Sequence, residues 1–307
     1  MNYFGIYANS GEVETALIEE TLNKPYVAIV SGVLDYDSVI SATGETRIKN
    51  TYRVTEEEWG WMSGETVENR IVPATLYGPE FGVVKVELED GTELEYEEGS
   101  GVWIPVSGAG DYVVYFTVSG DTIGGSEDVG EGLFSTMTNL VASEIPDNIY
   151  NIGYAAYQYS GLESVRIPSH AMNFGMYCFN ESQISSINSG QNLIPAGSVV
   201  NAYAFMNGTA LEYITIGSGV TFPDMDGYAS NFGADSLTAV TFLDPVPPVI
   251  HPSYDGYPGT FNWGNIQEIQ VPVGSEQAYV SSFNTDLAGE YTFEVVGTGE
   301  IGVVPGE

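Results

Sequence analysis

The chain of 307 residues is 43% apolar and 12% aromatic, so it has enough apolar residues to bury a core and is not disordered throughout. Its 42 acidic residues against seven basic ones give a net charge of −35 at pH 7. This charge excludes binding to a nucleic-acid backbone and disfavours insertion into or binding to an anionic membrane, and it predicts a solvated, self-repelling surface.

Residues 1–55 are predicted to form an N-terminal attachment arm. Its start, Met1–Gly5, lacks the regions of a signal peptide, so we expect no export by the usual secretory route, and no apolar stretch is long enough to span a bilayer. The apolar run Leu22–Val30 predicts a strand, followed by a turn at Asp35–Asp37. An apolar set before it is spaced to share one helical face: Val13, Ala16, Leu17 and Leu22. Four of the seven basic residues lie in this arm: Lys24, Arg47, Lys49 and Arg53.

Residues 56–128 are predicted to form a small antiparallel β module and a linker. Alternating apolar residues on either side of Glu89–Gly91 predict a hairpin with a three-residue loop, in which Leu88 pairs with Thr92 and Val86 with Leu94. That loop places Gly91 at the left-handed position of a bulge. A second strand pair is predicted between 102–104 and 112–118, across the turn at 107–110, and the stretch from 119 to about 132 is interpreted as a linker or long loop.

Residues 129–307 contain a repeating pattern. An aromatic residue is followed five or six positions later by Leu or Ile, and apolar residues recur three and five positions after that. The leading Leu or Ile positions are separated by 22, 27, 26 and 29 residues. The five units are Tyr157/Leu162/Val165/Ile167, Phe179/Ile184/Ile187/Ser189, Phe205/Leu211/Ile214/Ile216, Phe232/Leu237/Val240/Phe242 and Phe261/Ile266/Ile269/Val271.

The pattern predicts a leucine-rich-repeat solenoid. The last two apolar positions of each unit are two residues apart, so on a strand they point to one face, and only stacking can bury that face. Periods of this length are typical of leucine-rich repeats. The alternative is five ordinary strands that share the pattern by chance. After the last unit we expect a cap, with a short helix begun by Ser275, inward-facing Tyr279 and Phe283, and a final strand at 291–296.

The repeats resemble the BspA-type leucine-rich repeat over residues 143–285. The resemblance is carried by the segments 145–149 and 162–168 and by the ending Val271–Ser275 with Tyr279. It implies binding or adhesion and supplies no catalytic residues. The second unit departs from the pattern at Ser189, and the first has Tyr157 where Phe is usual, so distorted turns are expected there.

The arm resembles the opening of virion appendage proteins from phages of Bacteroides, including crAss-like phages. This resemblance is carried by Leu22–Ala28 and by Leu34–Tyr36. It implies a protein that is made in the host cytoplasm and reaches the outside on a particle released by lysis.

No catalytic, cofactor-binding or metal-binding residue is predicted. The single cysteine, Cys178, excludes an intrachain disulfide and is expected to be a buried, inert thiol. Both histidines, His170 and His251, are interpreted as loop residues. Two alternatives stay open: a calcium site at Asp224–Gly227, and a sugar platform of exposed aromatic residues. The candidates for that platform are Trp59, Trp61 and Trp263.

The sequence therefore predicts a mainly β protein without enzymatic activity, which serves as a phage virion structural protein. In this hypothesis a capsid-attached head fibre or decoration docks through the arm onto a capsid or other virion protein, forms a homo-oligomer and presents the repeats to host-surface or mucin glycans. The alternatives are a tail fibre, a bacterial cell-surface adhesin and a glycan depolymerase.

Overall fold

The computed structural model describes thirteen stretches of the chain. The structure is 36% strand and 6% helix, as expected for a mainly β protein. Every statement below about structure refers to these stretches. They are 2–7, 13–18, 26–30, 33–40, 45–57, 70–72, 83–97, 101–126, 131–207, 209–223, 230–253, 257–287 and 290–305.

The first four strands form two separate antiparallel pairs. They are β1 (Asn2–Tyr7), β2 (Val13–Ile18), β3 (Tyr26–Val30) and β4 (Val33–Ile40). The predicted strand within Leu22–Val30 is confirmed over Tyr26–Val30, and residues 22–25 lie outside the described residues.

Two expectations for this region are wrong. Val13, Ala16 and Leu17 of the apolar set lie on β2 and not on a helix, because this segment pairs with β1. The fourth member, Leu22, lies outside the described residues. The turn expected at Asp35–Asp37 is not formed either, since these residues lie inside β4.

The next six strands build the predicted β module and connect it to the repeats. They are β5 (Glu45–Val54), β6 (Arg70–Val72), β7 (Val83–Leu88), β8 (Tyr96–Glu97), β9 (Gly101–Ile104) and β10 (Gly110–Ser119). The bulged hairpin is confirmed: Gly91 has φ +86°, and the Leu88 amide donates to the Thr92 carbonyl at 2.9 Å. The Leu94 amide likewise donates to Val86 at 2.8 Å.

The second predicted hairpin is wrong. β9 pairs with β6 and β8, whereas β10 pairs with β5 and β7. The physical reasons are the length of the strands and the side chains that they bury. The ten-residue β10 buries Val114, Phe116 and Val118. β5 is equally long and buries Ile48 and Tyr52 beside them, whereas β9 has only four residues.

The repeats form a solenoid of about five turns over residues 122–270. Its strands are β11 (Thr122–Ile123), β12 (Gly125–Ser126), β13 (Glu131–Gly132), β14 (Leu140–Glu144), β15 (Asn151–Ile152), β16 (Ser164–Arg166), β17 (Asn173–Phe174), β18 (Ser186–Ile187), β19 (Leu193–Ile194), β20 (Val199–Val200), β21 (Tyr213–Ile216), β22 (Ala239–Phe242) and β23 (Glu268–Gln270). The interpretation of 119–132 as a linker is wrong for its described part, because β11 pairs in parallel with β15 and Ile123 is fully buried.

Each turn contributes to three sides of the solenoid. One side is the parallel ladder β14–β16–β18, resumed after an interruption as β19–β21–β22–β23. The second is the ladder β11–β15–β17–β20. The third is the segment around the leading aromatic residue, where turns are joined by amide-to-carbonyl bonds such as Tyr157 to Cys178 at 2.8 Å and Phe179 to Ala204 at 2.9 Å.

The aromatic residues that lead the units form one continuous column in the core. Their ring centroids are 5.2 Å apart between Tyr157 and Phe179, 5.1 Å to Phe205, 5.0 Å to Phe232 and 5.3 Å to Phe261. These spacings are close to the distance between neighbouring strands, so each ring packs on the ring of the next turn. The predicted stacking of the units is therefore confirmed.

An additional unit precedes the five that the sequence pattern identified. Phe134 packs against Tyr157 with centroids 5.1 Å apart, and Leu140, Ser143 and Ile145 occupy the following core positions. Ser143 takes a position that is apolar in all five of the other units, which is why the pattern missed this turn.

Antiparallel strands close both ends of the parallel stack. At the first end β14 pairs with β5, with Glu144 opposite Lys49. At the other end come α1 (Glu276–Asp286), β24 (Tyr291–Gly297) and β25 (Glu300–Pro305), and β25 pairs antiparallel with β23. The predicted helix and final strand are confirmed, and Tyr279 and Phe283 are fully buried. β25 was not predicted.

Ser275 does precede α1, but its side chain does not cap the helix. Its hydroxyl donates instead to the Pro272 carbonyl at 2.5 Å. Within the described stretches no helix has the length and apolar character needed to cross a membrane.

β5 connects two of the predicted domains. It lies before the expected boundary at residue 55, yet it pairs with β10 of the β module and with β14 of the repeats in one six-stranded sheet. The division into 1–55, 56–128 and 129–307 stays a prediction.

Candidate functional site

A row of tyrosines is contributed by the segments that precede the leading aromatic residues of four repeat units. This tyrosine row consists of Tyr154, Tyr177, Tyr203 and Tyr257, with centroids 5.6, 4.9 and 5.9 Å apart along the row. Burial raises the pKa of the Tyr177 phenol, and the neighbouring phenols of Tyr154 and Tyr257 raise it further, so the Tyr177 phenol stays uncharged at neutral pH. The row is buried at Tyr203 and exposed at Tyr257.

A second feature is an open groove of about 600 Å³ on the outer face of β14, β16 and β18. Its lining combines small hydroxyl side chains with a few charged ones. We call it the polar groove, and it is lined by Ala142, Ser143, Glu144, Asp147, Ser164, Val165, Arg166, Ile167, Ser169, Ser186, Asn188 and Ser189.

Ala142, Ser164 and Ser186 form one row along the groove, since they pair in register on the three neighbouring strands. Ser164 and Ser186 alternate with the buried Val165 and Ile187, so both hydroxyls lie on the outward face of the sheet.

The charged residues of the groove are paired. Glu144 accepts a hydrogen bond from Lys49 Nζ at 2.6 Å, and a guanidinium nitrogen of Arg166 lies 3.7 Å from Asp147 Oδ1. Arg166 also donates to the Ile145 carbonyl at 3.3 Å. After Lys85, Arg166 is the only Lys or Arg in the sequence, so the groove has a local charge balance that most of this acidic chain lacks.

One wall of the groove is a loop that interrupts the ladder after β18. Asn188, Ser189 and Asn192 all have positive φ, at 50°, 56° and 47°, a conformation that costs energy for residues other than glycine. The loop is held by side-chain amides: Asn188 Oδ1 accepts from the Ile167 amide and Asn192 Oδ1 from the Ile187 amide, both at 2.8 Å. The departure expected at Ser189 is thus confirmed, and Ser189 is exposed.

Neither histidine belongs to a chemical centre in the described structure. His170 stacks on Tyr150 with centroids 4.2 Å apart, and its Nε2 lies 2.8 Å from the Asp147 carbonyl. Nε2 of His251 lies 2.7 Å from the Phe222 carbonyl. Both are loop residues, as predicted.

The predictions for the other candidate residues have different outcomes. Cys178 is a fully buried free thiol whose pKa is raised by burial, as expected for an inert cysteine. Trp263 is wrong as a sugar platform, because it packs in the core against Phe261 and Phe283 and is only 1% exposed. Trp59, Trp61 and the calcium candidate Asp224–Gly227 lie outside the described residues. Among those that are described, no three acidic, His or Cys side chains are grouped to hold a metal ion.

The residues of the polar groove were not predicted from the sequence as a site. Two signals pointed to them: Arg166 is the lone cation of the repeats, and Ser189 stands where the pattern requires an apolar residue. Serines on an outward strand face are too common for either signal alone to identify a groove.

Comparison with known protein families was decisive for the repeats. The family model described as BspA type leucine rich repeat region matches residues 123–234 in six copies. This segment is similar to BspA-type leucine-rich repeat regions. No curated protein and no solved structure matches the chain.

The matched BspA-type region covers a little over a third of the chain. It begins at Ile123, in agreement with β11, and therefore earlier than the expected start at residue 143. Such repeats suggest a surface-binding or adhesin-type domain.

Proposed function

We propose that this protein is a phage virion structural protein, attached to the capsid as a head fibre or decoration, that presents its repeat region to bind surfaces or glycans. The observation that supports the recognition part is the repetition of outward residues from turn to turn along the BspA-type region, such as Ser164 and Ser186, together with the tyrosine row. A regular array of this kind offers an extended surface to a repetitive ligand. The role needs no catalysis, cofactor or metal.

In this proposal the N-terminal strand pairs dock on a capsid or other virion protein, and β5 links this attachment region to the repeats. The support is the pairing of β5 with β14, which joins the N-terminal half to the first repeat turns in one sheet. Homo-oligomers on a symmetric particle would give avidity to weak glycan contacts. The protein would be made in the host cytoplasm and act on the virion surface.

Analysis of purified particles tests this proposal. We expect mass spectrometry to detect the protein in gradient-purified phage, and immunogold labelling to place it on heads and not on tails. Label on tails would favour a tail fibre. Absence of the protein from intact particles would overturn the virion role while leaving the repeat fold unaffected.

The second candidate is a bacterial cell-surface adhesin, which the BspA-type match favours because such repeats suggest an adhesin-type domain. Fractionation of bacteria that express the gene without producing phage separates the two. An adhesin is expected in the envelope fraction and accessible to protease on intact cells, whereas a virion protein stays inside until lysis.

A further inference from the structure

We propose that the polar groove is a binding site for a neutral oligosaccharide. The inference rests on the surface-binding function proposed above and names the ligand class and the residues that recognise it. At about 600 Å³ the groove has the size of sites that hold small ligands.

The lining supplies the hydrogen-bonding groups that a sugar needs. Ser164 and Ser186 lie side by side on β16 and β18, and each hydroxyl can donate one hydrogen bond and accept others. Carboxylates at Glu144 and Asp147 and the guanidinium of Arg166 border the same groove, and charged groups make stronger hydrogen bonds to hydroxyls than neutral ones do. A ligand with many hydroxyl groups on neighbouring carbons matches this mixture of donors and acceptors.

The charge balance of the groove indicates a neutral ligand. Glu144 is paired with Lys49 and Asp147 with Arg166, so the two acids face two bases. The rest of the chain carries a large excess of acid, which would repel sialylated or sulfated chains before they reached the groove. A neutral sugar is not repelled by the excess acid. Because it carries no charge, it also needs no uncompensated cation in the groove.

The loop at 188–192 forms one wall of the groove and is held by side-chain hydrogen bonds. Asn188 Oδ1 accepts from the Ile167 amide of the preceding turn, and Asn192 Oδ1 accepts from the Ile187 amide of its own turn. These bonds fix the backbone of the wall, where Asn188, Ser189 and Asn192 have positive φ. Tyr213 flanks the loop, its hydroxyl donates to the Gly190 carbonyl, and its ring is 44% exposed, which leaves aromatic surface for a sugar ring.

A glycan array with matched variants tests the site. The full chain is probed with hexose and N-acetylhexosamine oligosaccharides and with the same cores carrying sialic acid or sulfate. The groove variant Ser164→Val/Ser186→Val removes two hydroxyls from neighbouring strands and suits β structure. Its control, Thr215→Val/Thr241→Val, also replaces two hydroxyl side chains by valine, at a register pair on β21 and β22 outside the groove.

We expect the wild type and the control to bind neutral oligosaccharides, and the groove variant to bind them about tenfold or more weakly, because each lost hydrogen bond weakens binding several-fold. Hydrogen exchange on the unaltered protein provides a readout that needs no variant: saturating neutral oligosaccharide should slow exchange at 186–192 and leave 239–242 unchanged.

Three results would overturn the assignment of the groove: equal binding by the groove variant and wild type, binding of acidic glycans only, or no saccharide binding at all. None of them bears on whether the protein is carried on virions, which particle analysis decides separately.

Discussion

Tyr157 is the one leading residue of the five predicted units that is not Phe, and the serine of the preceding turn explains why. Ser143 occupies a core position that is apolar in all five of the other units, and its hydroxyl lies 2.9 Å from the Tyr157 hydroxyl. Both residues are buried, so each hydroxyl needs the other as a hydrogen-bonding partner. Burial raises the pKa of the Tyr157 phenol well above its usual range, which keeps it protonated.

A double-mutant cycle should detect this dependence. Tyr157→Phe alone is expected to destabilise the fold by about 1–3 kcal/mol, because the Ser143 hydroxyl is left buried without its partner. Adding Ser143→Ala should recover part of that loss, with a coupling free energy of about 1 kcal/mol. Urea unfolding followed by circular dichroism measures both values. Strict additivity of the two substitutions would contradict the pairing.

The aromatic column predicts a large effect at its centre. Phe205 is 1% exposed and packs on Phe179 and Phe232, so Phe205→Ala should lower the free energy of unfolding by about 3–5 kcal/mol. The control Val249→Ala removes an apolar side chain that is 69% exposed and should change stability by less than about 0.5 kcal/mol. Similar effects of the two substitutions in urea unfolding would show that the column is not the core.

At the scale of the elements, neighbouring turns approach so closely that some positions exclude a side chain. A Cβ at Gly217, just after β21, would lie 2.6 Å from the Ala196 amide nitrogen and 2.7 Å from the Ile194 carbonyl oxygen. Gly108 lies in a bend, and a Cβ there would meet nothing within 4 Å. The same residue type therefore has different roles at the two positions.

Alanine substitution distinguishes these roles. Gly217→Ala should lower the thermal midpoint by several degrees, since backbone of two turns must move apart at a cost of about 1–3 kcal/mol. Gly108→Ala should leave the midpoint unchanged or slightly raised, because it restricts only the unfolded chain. Calorimetry of both variants is the measurement, and a tolerant Gly217 would mean that the turns are spaced more widely.

The terminal cap depends on a carboxylate at the start of α1. Backbone amides of Glu276 itself and of Gly299 and Gly274 donate to the Glu276 carboxylate, which holds its pKa below the usual 4.5. Because the folded-state pKa is lowered, the stabilisation is present above the unfolded-state pKa and is lost as the pH falls through the folded-state value.

Glu276→Gln should therefore lower the thermal midpoint at about pH 7, and the difference from wild type should shrink as the pH falls through the lowered folded-state pKa of the carboxylate. Glu268→Gln on β23 is a control, since its exposed carboxylate accepts a hydrogen bond from the Gln270 side-chain amide at 3.1 Å. A midpoint difference for Glu276→Gln that persists unchanged at acid pH would contradict the role of the charge.

At the scale of the whole molecule, the sequence predicted the repeats better than the N-terminal half. The column could be predicted because Phe205, Phe232 and Phe261 recur at a nearly constant offset from the next Leu or Ile, and stacking gives that offset one physical meaning. The ladder β11–β15–β17–β20 was missed because each of its strands is only two residues long. Such short strands have no period that a sequence can show.

The pairing of strands that are far apart in the chain could not be predicted from the sequence. Residues 102–104 are followed by a turn and then by the apolar strand at 112–118, which favours a local hairpin. β10 pairs instead with β5, which lies more than fifty residues earlier in the chain. This pairing depends on the equal length of the two strands and on the apolar side chains that both of them bury. The polar groove was likewise hidden, because it brings together residues of three different turns.

The charge of the whole chain should make its stability depend on salt. With 42 acidic and seven basic residues, repulsion within the compact state exceeds attraction, and exposed ion pairs such as Arg53 with Asp111 contribute little. Raising NaCl from about 0.01 M to about 0.5 M should raise the thermal midpoint by a few degrees, because the screening length shrinks from about 30 Å to under 8 Å. A midpoint that falls with salt would mean that ion pairs outweigh the repulsion.

The antiparallel strands at the two ends of the stack also determine how the array can vary in length. Because β5 pairs with β14 and β25 pairs with β23, the ladder that contains β14 and β23 is closed at both ends by an antiparallel strand. New turns can be accommodated only between the two closures. Each new turn would lengthen the stack by about 4.8 Å. The length of the binding surface would therefore change in multiples of this spacing, while the strand pairings at the two ends stay the same.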